Sequence, residues 1–445
     1  MFRVFAHLPY RFQWVYCQIA YLRGCLPGRI RHALEELPET LDGTYDRALR
    51  DIDGANWEFA HRLLQCVAVA FCPLRVEELA EILSFDFKTG PIPRFQEDWR
   101  LGNPIDAVLS TTSSLLAVVD APGSPVIQFS HFSVKEFLTS TRLAETNDII
   151  CRRHHISMTP AHILIAQACL GILLHLDINA VTRDSLEEYP LYEYAAMHWV
   201  DHARYEGALG NVEDGMKRLF DPSKPHLAIW VWIYDPELGG WALENGEERP
   251  LQPRGSPLHY AVVCGLHGIV KFLITQRAQD LHSRCFYGAL TPLHLAAREG
   301  YEDVARVLLE HGADITLQTN DGSTPLHLAS RRGDEKITSL LLTYCADATA
   351  RTNDGSTPLH LALGKGYDQV ANLLLQHGAD ATAQTNDGST PLHIASQWGM
   401  EEVVLLLLEH GADATAETID GSTALSLGLE WGHEEVTRLL LEHCY

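Results

Sequence analysis

Apolar positions in the last part of the chain come in short bursts with helical spacing, and the bursts themselves recur every 33 residues. Leu308, Leu341, Leu374 and Leu407 hold the same place in four successive bursts. Around Leu341, the positions Ile337, Leu340, Leu341 and Leu342 mark the apolar side of one helix. A shorter burst precedes it, in which Leu326, Ala329 and Ser330 offer small contacts to neighbours. Each pair is opened by Thr-Pro-Leu-His, at Thr291, Thr324, Thr357 and Thr390, and by Thr-Ala-Leu-Ser at Thr423. The threonine suits a helix N-cap, the proline a first turn where its missing N–H does no harm, and Gly333 a left-handed stop. Asn320-Asp321-Gly322 is turn chemistry and predicts a hairpin finger ahead of the helix pair. One such unit cannot bury its own apolar side. The pattern therefore predicts a stack of units whose extended surface holds partners rather than catalysing reactions.

Departures from the period carry their own expectations. A further unit opens at Ser256-Pro257-Leu258-His259, 35 residues ahead of Thr291, so six units run from about Leu251 onward. Cys345 stands where Gly312, Gly378 and Gly411 stand elsewhere, so a left-handed turn there is strained or remodelled. Gly255 and Gly288 are displaced relative to the later Asp-Gly turns, which sets the first two fingers apart. His443-Cys444-Tyr445 comes before any Gly-Ala-Asp, so either the last helix frays or the array continues in a longer form.

Upstream the pattern is less regular. Ile30 to Asp53 reads as helix with a break near Leu37-Pro38-Glu39-Thr40, followed by a helix from Trp57 to Val69, a break at Cys72-Pro73-Leu74, and a helix from Val76 to Leu83. Gly90 to Pro104 reads as a loop. Ser114 to Asp120 and Val126 to Phe129 are β-favouring runs joined by Ala121-Pro122-Gly123-Ser124-Pro125, which predicts a hairpin, and Val134 to Arg142 returns to helix. Helices followed by a small hairpin look like a winged-helix domain. Ile163 to Leu174 is the most apolar stretch; it is too short for a bilayer and contains Gln167, so a buried helix is expected.

At 445 residues several domains are expected, and the net charge of -24 is spread over both halves. With no basic tract, the electrostatics oppose nucleic acid and anionic membranes as partners. Ten cysteines without a Cys-x-x-Cys, and no Asn-x-Ser/Thr, favour reduced thiols and a cytoplasmic location. The N-terminal Met1-Phe2-Arg3-Val4-Phe5-Ala6-His7-Leu8-Pro9 is broken by His and Pro before a signal-type core develops.

Candidate chemistry is sparse. His198 and His202 lie four apart on a predicted helix and could share a metal, but only Asp201, on another face, is near, so a structural role is expected. Asp51-x-Asp53-Gly54 lacks the further oxygen ligands of a calcium loop and reads as an exposed turn. There is no Gly-x-Ser-x-Gly and no His-Glu-x-x-His. No catalytic, metal or cofactor site is expected, and the chain is expected not to be an enzyme. The repeated His294, His327, His360 and His393 are expected to hydrogen-bond a neighbouring finger.

The 33-residue unit resembles the ankyrin repeat, on Asp-Gly-Ser-Thr-Pro-Leu-His followed by Ala, Gly, Leu-Leu and Gly-Ala-Asp at fixed offsets. The resemblance implies a groove lined by the positions just before the first-helix glycine. Successive units carry there Val263 and Cys264, Arg298 and Glu299, Arg331 and Arg332, Gly364 and Lys365, Gln397 and Trp398, and Glu430 and Trp431. Such a groove is basic in its middle and aromatic toward its end, and it implies an acidic, partly apolar protein partner with Arg298, Glu299, Arg331, Arg332, Lys365, Gln397, Trp398, Glu430 and Trp431 as contacts. The alternative is that the two tryptophans pack on each other and the arginines are simply solvated.

A second resemblance covers the upstream part. Phe12-Gln13-Trp14-Val15-Tyr16-Cys17-Gln18, Leu37-Pro38-Glu39-Thr40-Leu41-Asp42-Gly43-Thr44-Tyr45, Phe129-Ser130-His131-Phe132-Ser133-Val134-Lys135-Glu136-Phe137-Leu138 and Tyr194-Ala195-Ala196-Met197-His198-Trp199-Val200-Asp201-His202 are similar to segments of fungal NACHT-ankyrin proteins of the STAND type. That family implies signal transduction by an NTPase with an ankyrin sensing arm. The phosphate loop Gly-x-x-x-x-Gly-Lys-Ser/Thr is absent, since Gly364-Lys365-Gly366 lies in a repeat with no Ser or Thr after it, so NTPase activity does not carry over. The expected fold is mainly α: a helical remnant at 1–33, a winged-helix-like domain with a small β-hairpin at 34–142, a helical connector at 143–250, and an ankyrin-repeat solenoid at 251–445. The expected role is a non-enzymatic scaffold or sensor arm. Alternatives are a regulatory partner of a separate NACHT-type NTPase, or winged-helix DNA binding, which the acidic balance disfavours.

Overall fold

The computed structural model describes residues 40–52, 54–100, 102–241, 252–285 and 288–443. The expected remnant at 1–33, the Phe12–Gln18 segment, Asp53 and the final Cys444-Tyr445 lie outside them. The described chain is mainly helical, and its strands form three two-stranded antiparallel ladders. It divides into two compact units, one reaching to Asp235 and including Gly239–Leu251, the other formed by Pro236–Leu238 and Gln252 onward.

In the first unit, Thr40 caps the Leu41–Arg50 helix through its side chain, which accepts from the Gly43 N–H at 3.1 Å. Tyr45 is buried and its hydroxyl pairs with Ser133 Oγ at 2.8 Å. The next helix runs Trp57–Val69, as its apolar spacing predicts. Val76–Glu81 follows, and the expected continuation to Leu83 tightens into a 3-10 turn at Ile82–Ser84.

The stretch read as a loop from Gly90 to Pro104 holds more structure than expected. Arg94–Phe95 pairs with Phe85–Asp86, and Glu97–Trp99 makes a 3-10 turn. A helix then runs Pro104–Thr112, which the apolar pattern does not announce. The hairpin is present as Leu116–Val119 against Val126–Phe129, in the register Leu116 to Phe129. Val134 to Arg142 is two helices rather than one, Phe132–Leu138 and Thr141–Glu145. Ser140 divides them by capping the second, accepting from the Leu143 N–H at 3.2 Å.

The core of this unit is the Met158–His175 helix, which packs on Trp57–Val69, Tyr192–Arg204 and Leu209–Leu219. At 18 residues it is long and apolar enough to cross a membrane, contrary to the expectation from Ile163–Leu174 alone, yet more than half of it is buried against these helices. Because it packs on Trp57–Val69, residues on both sides of position 142 share one core. Trp199 and Trp230 meet edge to face at 5.2 Å with Phe220 beside them, and the Trp230 indole N–H donates to the Ala196 carbonyl at 2.8 Å.

The second unit is six helix pairs: Pro257–Val263 with His267–Gln276, Pro292–Glu299 with Glu302–Glu310, Pro325–Arg332 with Glu335–Thr343, Pro358–Leu363 with Asp368–Gln376, Pro391–Trp398 with Glu401–Glu409, and Ala424–Glu430 with Glu434–His443. First helices stack on first helices and second on second. Leu308, Leu341, Leu374 and Leu407 are all fully buried, so the predicted register holds. Cys345 adopts φ 63°, the left-handed conformation that the glycines adopt elsewhere, so the turn keeps its shape at the cost of strain.

Candidate functional site

Five of the six first helices start from a capping box in which histidine takes the usual carboxylate's place, and the sixth uses Ser426. In the third repeat Thr324 Oγ1 lies 2.9 Å from His327 Nδ1, and His327 Nε2 lies 3.2 Å from the carbonyl of Ser356, in the next finger. A carbonyl only accepts, so Nε2 carries the proton and Nδ1 is the acceptor for the threonine. His294, His360 and His393 repeat the arrangement with the carbonyls of Ser323, Ser389 and Ser422. His259, in the irregular first unit, reaches the carbonyls of Ser283 and Leu290 instead. Burial pushes the imidazoles of His259, His294, His327 and His360 down to about 4, so they are neutral links between units.

The fingers pair through their backbones. Asn353 N–H donates to Asp321 O at 2.9 Å, Asn386 N–H to Asp354 O at 2.8 Å, and Ile419 N–H to Asp387 O at 2.9 Å. The Asn353 and Asn386 side chains extend the ladder to the carbonyls of Asn320 and Asn353. Gly322 has φ 83°, and a Cβ there would come within 2.9 Å of Asn353 N, so both conformation and close approach require glycine.

The candidate contact residues fall in a row at the C-terminal ends of consecutive first helices, where unpaired carbonyls favour cations. Their environments differ along it. Cys264 is buried and Val263 half-buried, so the first repeat offers little. Arg298 is half-buried, with Nε 2.8 Å from Glu299 Oε1 and Nη1 3.9 Å from Glu237 Oε1. Arg332 Nη1 donates to the Arg298 carbonyl at 3.0 Å, and its guanidinium lies over Gly300. Both arginines are thus engaged between or within units. Arg331, Lys365 and Glu430 are exposed, and Gln397 is half-buried. Trp398 and Trp431 are each 58% exposed, and among the described residues neither ring contacts another aromatic ring. The alternative that they pack on each other does not hold.

Sequence reasoning did not find the inter-unit lids. Tyr301 lies against Gly265, Arg332 against Gly300, Tyr367 against Gly333 and His433 against Gly399. His433 Nε2 also bonds the carbonyl of Gln397 at 3.0 Å, which fixes the backbone beside Trp398. Three of the four follow the glycine of their own repeat by one position, a signal that a search along the period could have used. The His198 and His202 pair separates in the structure: His202 is buried against His162 and Tyr194, and His198 faces Cys72 and Asp201. No group of three metal-binding side chains occurs among the described residues.

The ankyrin-repeat family matches in three copies, over residues 227–319, 315–385 and 380–445. The C-terminal part of this chain is an ankyrin-repeat array. A relative from Monascus ruber described as azaphilone pigments biosynthesis cluster protein L is 29% identical over 293 residues, 63% of this chain and 61% of that protein. Human protein phosphatase 1 regulatory subunit 27 is 42% identical over 73 residues, 16% of this chain and 46% of that protein. Alpha-latrocrustotoxin-Lt1a from Latrodectus tredecimguttatus is 34% identical over 82 residues, 18% of this chain and 6% of the toxin. The chain therefore spans about three fifths of the Monascus protein and less than half of the regulatory subunit. Ankyrin repeats are interaction modules, and a protein-binding role follows for the array.

Proposed function

We propose that this protein is a non-enzymatic, cytoplasmic scaffold or sensor arm that captures an acidic, partly apolar protein segment along the row from Arg298 to Trp431. The observation that carries the reading is the pair of exposed indoles, Trp398 and Trp431, which no ring among the described residues covers. Exposed aromatic side chains of this size dominate binding where they occur at interfaces. Arg331 and Lys365 supply free positive charge beside them, while Arg298, Glu299, Arg332, Gln397 and Glu430 shape the row. Neither nucleic acid nor a membrane is proposed as the partner, since the chain carries a net charge of -24.

The test compares affinity capture by the full chain with capture by the double variant Trp398→Ala, Trp431→Ala, read by quantitative mass spectrometry. Because both side chains are exposed, the variant is expected to keep its helical content and melting temperature. Proteins retained by the parent are expected to drop about tenfold or more in the variant. Equal retention would move the contact to the fingers or the second helices.

A second reading ties the first unit to the array. The match to the Monascus protein covers 293 residues, more than the 195 from Leu251 to Tyr445, so it extends upstream of the repeats. That supports a role in which residues 34–250, resembling the winged-helix and connector parts of NACHT-ankyrin proteins, relay partner capture to a separate NTPase. Pull-down of a NACHT-type NTPase by residues 1–250 fused to an inert carrier, but not by the carrier alone, is the outcome this reading requires.

A further inference from the structure

Cys72 lies on the turn between the Trp57–Val69 and Val76–Glu81 helices, and its thiol is exposed. Sγ is 3.6 Å from Nε2 of His198. On the far side of the same ring, Nδ1 is 3.5 Å from Oδ2 of Asp201. Contrary to the expectation from sequence, which sets Asp201 on another face, it and His198 are three apart on the Tyr192–Arg204 helix and share one, with Asp201 Oδ2 turned to the ring. The order is carboxylate, imidazole, sulfur, in which the carboxylate fixes the ring and the ring's other nitrogen meets the nucleophile.

The surroundings hold this arrangement in place. The Phe71 ring stacks on His198 at 5.7 Å with an interplanar angle of 24°, and Tyr194 flanks it at 4.8 Å, leaving the His198 side chain 14% exposed. The Tyr194 hydroxyl accepts from the Phe71 N–H at 3.3 Å and pairs with His202 Nε2 at 2.8 Å, tying the Cys72 turn to the helix. Burial works against charge on His198, but the contacts with Asp201 and Cys72 outweigh it and push the ring up to about 9, so it is an imidazolium at neutral pH. Burial pushes His202 down to about 3, so the ring one turn on stays neutral. Nε2 of His198 thus faces the sulfur with a proton that an addition at Sγ can use. The exposed faces around the sulfur, Phe71 and Pro73, are apolar.

We propose that Cys72, paired with His198 and oriented by Asp201, is a nucleophile that captures small apolar α,β-unsaturated carbonyl compounds as covalent thioethers. A sulfur lone pair forms the S–C bond at the β-carbon, the C=C π pair moves to the α-carbon and takes the Nε2 proton of His198, and the proton released from the sulfur replaces it on Nε2. A thioether remains with the ring protonated as it began, and the step needs no oxidant or reductant. Asp201 acts through His198 and is a positioning residue.

Cys345 provides the internal reference. It is the other exposed cysteine among the described residues, and its sulfur hydrogen-bonds no histidine or carboxylate among them. The full chain is treated with limiting N-ethylmaleimide at pH 7, and labelling of each cysteine is followed by peptide-level mass spectrometry. Cys72 is expected to label about tenfold or more faster than Cys345, as an activated cysteine does. His198→Gln is expected to bring Cys72 to within about twofold of Cys345. Asp201→Asn should slow Cys72 severalfold and Asp201→Glu restore it, with the Cys345 rate constant throughout. Asp201 is solvent-exposed, so this pair carries the test even if His198→Gln fails to fold. Equal rates for the two cysteines in the parent chain, or a Cys72 rate that neither His198→Gln nor Asp201→Asn changes, would overturn the proposal.

Discussion

Two side chains in the third repeat oppose the local geometry that every other residue around them supports. Cys345 holds a left-handed φ where its counterparts are glycine. Left-handed backbone costs an L-residue about 1–2 kcal/mol, and glycine loses about 0.5–1 kcal/mol more entropy on ordering, so Cys345→Gly should stabilise the protein by about 0.5–1 kcal/mol. Urea unfolding followed by circular dichroism will show it; a destabilisation would mean that the sulfur makes an offsetting contact. Thr338 is fully buried in the Glu335–Thr343 helix, and its hydroxyl has no hydrogen-bond partner. The same position in the fifth repeat is Val404, also buried. Thr338→Val keeps the shape and removes the unpaired group, so a gain of about 1 kcal/mol is expected in the same assay.

At the scale of the helix pair, stability rests on one leucine column and one histidine column. Leu374→Ala removes a fully buried side chain between units and should cost about 2–5 kcal/mol, whereas a loss below about 0.5 kcal/mol would be that of a surface site and would contradict the packing. The histidines make the array sensitive to acid. Their folded values of about 4 lie below the ordinary 6.5, so the unfolded chain binds protons first as pH falls. Stability from this source is intact above about pH 6.5 and is lost progressively down to about pH 4. Melting temperatures measured between pH 7 and pH 4.5 should fall mainly below pH 6.5, and His327→Gln should flatten that slope. A melting temperature independent of pH over this range would show that the rings are not held neutral.

The same scale shows what could be read from the residues. The Trp57–Val69 helix and the repeat helices were legible because their apolar spacing, caps and stop glycines agree with one another. Pro104–Thr112 was not, because Ser110, Thr111 and Thr112 turn their hydroxyls back onto the carbonyls of Ala107 and Val108, and only packing against Trp57–Val69 and Val76–Glu81 favours helix there. The row of contact residues could be placed by counting along the period. Which of its cations are free could not, since the partner of Arg332 is a carbonyl 34 residues away. Cys72 and His198 are 126 residues apart, and no spacing rule joins them.

At the scale of the whole molecule, a net charge of -24 surrounds a row whose exposed cations are few. Attraction of an acidic partner then rests on Arg331 and Lys365, and salt should act on those alone. Raising ionic strength from about 0.05 to 0.5 M should weaken partner binding severalfold in the parent chain and much less in Arg331→Ala, Lys365→Ala, as measured by surface plasmon resonance. Equal salt dependence in both would place the electrostatic contact elsewhere.

The lids over the helix-ending glycines bear on how such a chain can change over generations. Two tyrosines, an arginine and a histidine (Tyr301, Tyr367, Arg332 and His433) serve this place, and each covers a glycine of the preceding repeat. The site on the glycine side asks only for a flat or extended group of adequate reach. A block such as the second or third repeat, copied whole, brings both a glycine and something to cover one, so it meets old neighbours on either side without needing a new kind of joint. Part of a block brings one without the other. Duplication and loss in whole periods are thus the changes this architecture absorbs, and the length of the recognition row is the property most open to them.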